Sequence, residues 1–228
     1  MIRVENVEVF NFEGAIRGMR NPMNSWDKSD SHFVVTGANG KPEVQARIGK
    51  NDLDLMQRLY KAGHPHRKYL RQIFVSMDIT APLYWWKEFD TYKAGVTRDS
   101  CSTMHKIHTK EFTHDDFSHE HLDILKTRVK NSEDKYCNYD YTEPLAMVIN
   151  ALNASRTMYL ETKDKRYWWQ IIQLLPSSYN QLATITMNYE NVFNMLQYRE
   201  KHKLDEWNVF CEILKDLPYI REIGGIEE

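Results

Sequence analysis

The sequence predicts an α/β protein, strands and helices packed as one domain over residues 1–228, and three observations carry that expectation. Residues 73–80 alternate: Ile73, Val75, Met77 and Ile79 share one face while Ser76, Asp78 and Thr80 fall between them, the period-2 pattern of a half-buried strand. Leu53, Met56, Leu59 and Tyr60 recur at helical spacing, with Asn51 as cap and Gly63 as stop. The chain has 228 residues, 42% of them hydrophobic, enough to bury a sizeable core.

The remaining elements follow in chain order. Val4 to Phe12 alternates apolar residues with Glu5, Asn6 and Glu8 and reads as a strand, and Glu13 to Met19 as a short helix. Arg20 to Gly40, rich in Asn, Ser, Asp and Gly, reads as loop, with His32 to Val35 a short strand. His64-Pro65-His66 makes a turn ahead of the 73–80 strand. Pro82 then suits the first turn of a helix, where its missing N–H costs nothing. A polar, hydroxyl-rich loop follows.

Residues 109–140 are polar and charged, with a helical pattern at Leu122, Leu125 and Val129, and read as a lid or insertion. Thr142 can cap a helix with Pro144 in its first turn, running through Leu145, Val148, Ile149 and Leu152. Tyr167 to Leu175 forms another, stopped by Pro176, and Ala183 to Met187 is short and β-prone. Two helices close the chain, Glu190 to about Lys201 and Asp205 to Asp216, the latter with Trp207, Phe210, Cys211 and Leu214 inward.

Charge and motifs exclude several function classes. With 30 basic and 32 acidic residues and a net charge of −2, no overall field attracts a nucleic-acid polymer or an acidic membrane. No run of 18 apolar residues exists, and MIRVENVEVF lacks the apolar core of a signal peptide, so a cytoplasmic location is the default. Three widely spaced cysteines, Cys101, Cys137 and Cys211, argue against a disulfide framework or zinc ribbon. His105, His108, His114, His119 and His121 show no His-Glu-x-x-His spacing and read as a solvated segment, so no metal site is expected. No Walker or dinucleotide glycine pattern is present. Trp85-Trp86 and Trp168-Trp169 read as core or interface anchors, one of each pair able to stack on a ring-shaped ligand.

The chemistry concentrates between Ala81 and His108, APLYWWKEFDTYKAGVTRDSCSTMHKIH. Ser100, Ser102 and Thr103 with their backbone N–H groups, helped by Lys93 and Arg98, can cradle a phosphate. Cys101 has two readings. It is a nucleophile if Arg98, His105 or Lys106 lowers its pKa, or a small buried hydrophobe.

Three blocks resemble the flavin-dependent thymidylate synthases: LMQRLYKAGHPH at 55–66, the strand and following segment at 73–107, and LLPSSYNQLATITMNYENVFNMLQYREKHKLDEW at 174–207. The resemblance implies a small, largely antiparallel sheet flanked by helices and a homotetramer with flavin sites between subunits. It also implies conversion of dUMP to dTMP with FAD, NADPH and methylenetetrahydrofolate. Asn188 and Asn194 fall on two asparagines that hold flavin, and Arg199 on an arginine that binds and polarises the base. Read as residues alone, the asparagines are equally caps or exposed helix positions, and Arg199 a solvated last-turn cation.

His66 lies in register with a histidine near the flavin; Lys93 falls in the cofactor block, and Glu88, Asp99, Ser100, Cys101, Ser102 and Thr103 in the substrate block. In such chemistry a Cys101 thiolate could add at pyrimidine C6 before a bond forms at C5. The chain also departs from the family. Thr91, Tyr92 and Lys93 replace its Arg-His-Arg, Thr103 its last signature arginine, Ile172 or Gln173 a phosphate arginine, and Arg71 a glutamate. Lysine is a point charge rather than a fork, so bidentate contacts weaken. Two alternatives stay open: another C5 modification such as hydroxymethylation, or a non-catalytic nucleotide- or flavin-binding protein.

Overall fold

The computed structural model describes residues 2–36, 43–123, 127–130 and 132–227. Its fold is α+β, a small antiparallel sheet flanked by helices. Four strands, β1 (Arg3–Phe10), β4 (Phe74–Pro82), β8 (Asn180–Asn188) and β5 (Val96–Ser100), are neighbours in that order. Two antiparallel pairs stand apart: β2 (His32–Thr36) with β3 (Glu43–Arg47), and β6 (Thr127–Lys130) with β7 (Tyr136–Tyr139). Among the described residues the helices are α1 (Phe12–Arg20), α2 (Lys50–Lys61), α3 (Leu83–Phe89), α4 (Thr142–Thr162), α5 (Lys165–Leu174), α6 (Tyr189–Arg199), α7 (Asp205–Lys215) and α8 (Ile220–Gly224).

The chain divides into two compact units, one of residues 1–3, 80–89 and 100–183, the other of 4–79, 90–99 and 184–228. In the second unit the alternating face of β4 is buried as its pattern requires, Ile73, Val75, Met77 and Ile79 each at most 1% exposed. Trp207, Phe210, Cys211 and Leu214 are likewise buried along one face of α7. Beneath the start of α2 sits a buried ion pair. Arg20 Nε donates to Asp52 Oδ1 at 2.6 Å, and Asp52 Oδ2 accepts from the Ser29 and Ser31 hydroxyls and the Asp30 and Ser31 N–H groups. Burial alone would raise the Asp52 pKa, but the bonds from Ser31, Arg20, Ser29 and Asp30 together outweigh it and hold the carboxyl below its usual range.

In the first unit α4 and α5 pack Leu145, Ile149, Leu152 and Ile171 against Ile107, Phe112 and Phe117. Asn153 seals that contact, accepting from Phe112 N–H and donating to Phe112 O, both at 2.9 Å. Trp85, Trp86 and Phe89 of α3 form a fully buried aromatic cluster.

Several sequence expectations are corrected. Phe12 starts α1 rather than ending β1, because its ring is buried edge-on against Tyr189 and Tyr219. Asn51 does not cap α2: the Asp30 carboxylate, distant in sequence, accepts the Asn51 and Asp52 N–H groups. Pro82 ends β4 instead of opening α3. Thr142 is the first residue of α4, its N–H and hydroxyl bonded to Asp140. The stretch after α3 is not all loop, since β5 carries Asp99 and Ser100.

The helical spacing of Leu122 and Val129 gives way to the β6–β7 pair, with the turn residue Asp134 left-handed at φ 61°; Leu125 lies outside the described residues, as do residues 37–40 of the Arg20–Gly40 loop. A third closing helix, α8, follows α7.

Removing the Asp52 carboxylate strands Arg20 as a buried unpaired charge, so Asp52→Ala lowers unfolding free energy by about 3–5 kcal/mol, read by denaturant titration. Because the folded pKa of Asp52 lies below the unfolded one, its contribution is complete above about pH 4 and is lost as pH falls through the folded value. In Asp52→Asn that acid-side loss is smaller; an unchanged stability–pH profile would contradict the assignment.

Candidate functional site

The carrying feature of the second unit is the junction between β8 and α6. A helix start leaves N–H groups without partners, and Asn188, at extended φ −105° and ψ 166°, satisfies one: its Oδ1 accepts the Asn191 N–H at 3.1 Å. Asn191 Oδ1 accepts the Asn188 N–H in return at 3.4 Å, completing a capping box. Asn191 Nδ2 donates onward to Ala94 O at 2.8 Å. The next residue, Gly95, has φ +76°, and a Cβ there would come within 2.5 Å of Asn188 Nδ2. Only glycine fits both the conformation and the approach. Residues 90–99 are thereby stitched to the start of α6.

At the other end of α6 stands Arg199. Its Nε donates to the Tyr92 hydroxyl at 3.0 Å. The guanidinium lies 4.9 Å from the centre of the fully buried Trp207 ring and 5.6 Å from that of Tyr92. A cation over aromatic faces is held electrostatically and loses the freedom of a solvated side chain, so the reading of Arg199 as a solvated last-turn cation is overturned. Asn194 is half-buried between these ends. Arg98 Nη1 donates to both carboxylate oxygens of Asp90, at 2.9 and 2.8 Å.

Next to the capping box, Glu190 gathers a cluster that sequence reasoning missed: Arg71 donates to both its oxygens, with His64 at 3.6 Å and Arg67 at 4.0 Å. The available signal was an acidic residue in the first turn of α6. The charge that Arg71 introduces where the resemblance implies a glutamate is thus met from another element. His66 and Lys93 are exposed, His66 in the turn closed by its N–H to Gly63 O. Asp99 is exposed on β5.

Glu88, Ser100, Cys101, Ser102 and Thr103 belong to the first unit. Cys101 is exposed on a fixed backbone, its N–H donating to Leu182 O at 2.9 Å and its carbonyl accepting Gln181 Nε2 at 2.6 Å. The reading of Cys101 as a buried hydrophobe is therefore overturned. Gln181, absent from the sequence candidates, is buried, and its own carbonyl accepts the Trp86 indole N–H. Burial pushes the Cys211 thiol up to about 12, so it is unreactive at neutral pH.

The Ser102 hydroxyl accepts the Met104 and His105 N–H groups at 3.2 and 2.8 Å, closing a local turn, so those two amides are spent within the chain. Glu88 and Thr103 are half-buried and Ser100 is exposed. Trp85 and Trp86 are wholly core, whereas Trp169 is exposed and Trp168 donates its indole N–H to Met104 O. Among the described residues no histidine, cysteine and carboxylate grouping could hold a metal ion, and no helix is long and apolar enough to cross a membrane.

Gly95→Ala forces a left-handed alanine against Asn188, at a cost of roughly 1–3 kcal/mol. Amide exchange of residues 90–99 is expected to accelerate while that of α2 is unchanged; equal protection in both proteins would contradict the stitching.

No family model and no curated protein matches the chain. Solved structures do. Thymidylate synthase X from Helicobacter pylori with FAD and dUMP is 18% identical and superposes with a TM-score of 0.64 over 97% of this chain and 96% of that one. A UMP/dUMP methylase, PolB from Streptomyces cacaoi, bound with 5-Br UMP, is 14% identical with a TM-score of 0.55, over 94% of this chain and 87% of that one. The fold of this chain is the one those proteins share.

Proposed function

We propose that this protein is a flavin-dependent enzyme that modifies C5 of a pyrimidine deoxynucleotide, converting dUMP to dTMP with FAD, NADPH and methylenetetrahydrofolate. The observation that carries the reading is Arg199, a guanidinium fixed by Tyr92 and Trp207 at one end of a helix whose other end is fixed by Asn188. Support for a flavin comes from the Asn188 amide beside Gly95. There Asn188 Nδ2 donates to no protein group among the described residues and lies 2.5 Å from where a Cβ would stand. An amide donor beside a backbone that carries no side chain suits the carbonyl edge of a planar ring.

Bound FAD would supply electron transfer, with the folate as one-carbon donor. The protein's own residues would place and polarise. Arg199 stabilises negative charge developing on the pyrimidine, and its aromatic clamp keeps it from reorienting when that charge appears. Asn188 and Asn194 hold the flavin, while His66 and Lys93 extend the cofactor site. Glu88, Asp99, Ser100, Cys101, Ser102 and Thr103 form the nucleotide block. A homotetramer and a cytoplasmic location belong to the same proposal.

A second reading rests on the replaced signature. Thr91, Tyr92 and Lys93 stand where the family has Arg-His-Arg, and Tyr92 serves Arg199 instead of a ligand. That favours a changed C5 modification, hydroxymethylation among them, or loss of chemistry with retained nucleotide or flavin binding. Cys101, exposed on its pinned backbone, would suit thiolate addition at C6 in such a variant.

Product formation from dUMP and from UMP, measured by chromatography with FAD, NADPH and methylenetetrahydrofolate, separates the readings. Turnover of dUMP to dTMP supports the first; a product of different mass, or none, supports the second. Arg199→Ala is expected to lower turnover by about 10²–10³-fold, and undiminished turnover would remove Arg199 from the mechanism. Cys101→Ser leaves dTMP formation intact on the flavin route and abolishes it on the thiolate route.

A further inference from the structure

In the first unit, the end of α4 gathers cations around a histidine. Arg156 and Tyr159, three residues apart, share one face of the helix. Against it lies the turn Lys106–Thr109, closed by the Thr109 N–H and hydroxyl on Lys106 O at 3.0 and 2.7 Å. Arg156 Nε donates to His108 O at 3.0 Å, and the His108 ring stands edge-on to Tyr159 with centroids 4.9 Å apart. Lys163, the left-handed C-cap of α4, turns its ammonium back to 6.0 Å from the centre of the Tyr159 ring.

The charges here are of one sign. Burial first, then Lys163, Lys106 and Arg156, lower the His108 pKa, and no carboxylate acts against them. The neighbouring Asp164 is taken up by the Arg166 N–H and guanidinium. Among the described residues the Arg156 Nη groups have no partner. The negative end of the α4 dipole accounts for Lys163, but not for Arg156, His108 and Lys106 beside it. His108 Nδ1 is buried without a partner among the described residues. A proton there would be an unmet buried donor, so the neutral ring carries it on Nε2 and adds one more donor to the cluster.

We propose that Arg156, His108, Lys106 and Lys163 form a binding site for a phosphate dianion, apart from the residues assigned to flavin and nucleotide. The Arg156 fork is oriented by its own Nε on His108 O and leaves two Nη groups to meet two phosphate oxygens. The lysines add point charges, and His108 Nε2–H a directional donor. A bound dianion offsets the mutual repulsion of the cations and favours the protonated imidazole, so binding raises the His108 pKa from its lowered value. Two sources share this chemistry, free inorganic phosphate and a phosphate monoester such as the 2′-phosphate of NADPH. Phosphate binding is read without turnover, so its failure and that of the proposed reaction are distinguishable.

The test is a titration of the full chain with inorganic phosphate, against chloride at matched ionic strength, following the His108 imidazole by nuclear magnetic resonance. Saturable shifts are expected with phosphate alone, together with a rise in the His108 pKa. Shifts that do not saturate, or that chloride reproduces, would overturn the proposal. Arg156→Gln removes the fork and its contact with His108 together. Lys163→Gln, at an exposed position whose backbone N–H to Tyr159 O is untouched, separates charge from folding. It is expected to weaken phosphate about tenfold with an unchanged circular dichroism spectrum; full affinity in that variant would overturn the site. NADP+ and NAD+, which differ by one 2′-phosphate, then identify the source. Displacement of phosphate by NADP+ alone assigns the dinucleotide, retention against both assigns free phosphate, and equal displacement by the two would overturn recognition of a dianion.

Discussion

The reciprocal bonds between Asn188 and Asn191 are the constraint on which the candidate site depends. They fix the residue at which β8 stops and α6 begins, and so set the rotation and length of the helix that ends at Arg199. The spare amide of Asn191 then holds Ala94, and the missing side chain of Gly95 lets residues 90–99 lie against the junction. That brings Tyr92 to Arg199 and closes the loop between the two ends of α6. Capping, loop placement and cation orientation are one arrangement, and disturbing any part reaches the others through hydrogen bonds in a partly desolvated setting.

Charge in this unit is balanced locally. Arg71 meets Glu190, Arg98 meets Asp90 and Arg20 meets Asp52, while Arg199 lies over the rings of Trp207 and Tyr92. Tyr92 is part of that support, its hydroxyl accepting Arg199 Nε.

Period and composition made much of the fold legible: β4 from its alternation, α7 from its inward stripe, the start of α6 from the matched block. What stayed hidden is what the chain settles over distance. Asp30 caps α2 from another segment, so Asn51 looked like the local cap. The strand β5 has Val96 as its single apolar residue and exists by pairing beside β8, which no period shows. In the 109–140 stretch, three apolar residues at helical spacing outweighed the β-prone Tyr and Val of β6 and β7. At the site, Asn188 is the cap of α6, one of the two readings its residue type allowed. Tyr92, Trp207 and Gln181 drew no notice as site supports because an aromatic or an amide in isolation signals nothing; their roles arise from what they touch.

The central claim is that the Asn188–Gly95 junction and Arg199 frame a site for flavin and pyrimidine. It is tested most directly by the visible spectrum of the purified full-length protein after incubation with FAD and desalting. The account expects bands of protein-bound flavin that persist through the column and shift when dUMP is added. A colourless protein that keeps no FAD, and whose tryptophan fluorescence does not respond to the nucleotide, would contradict it.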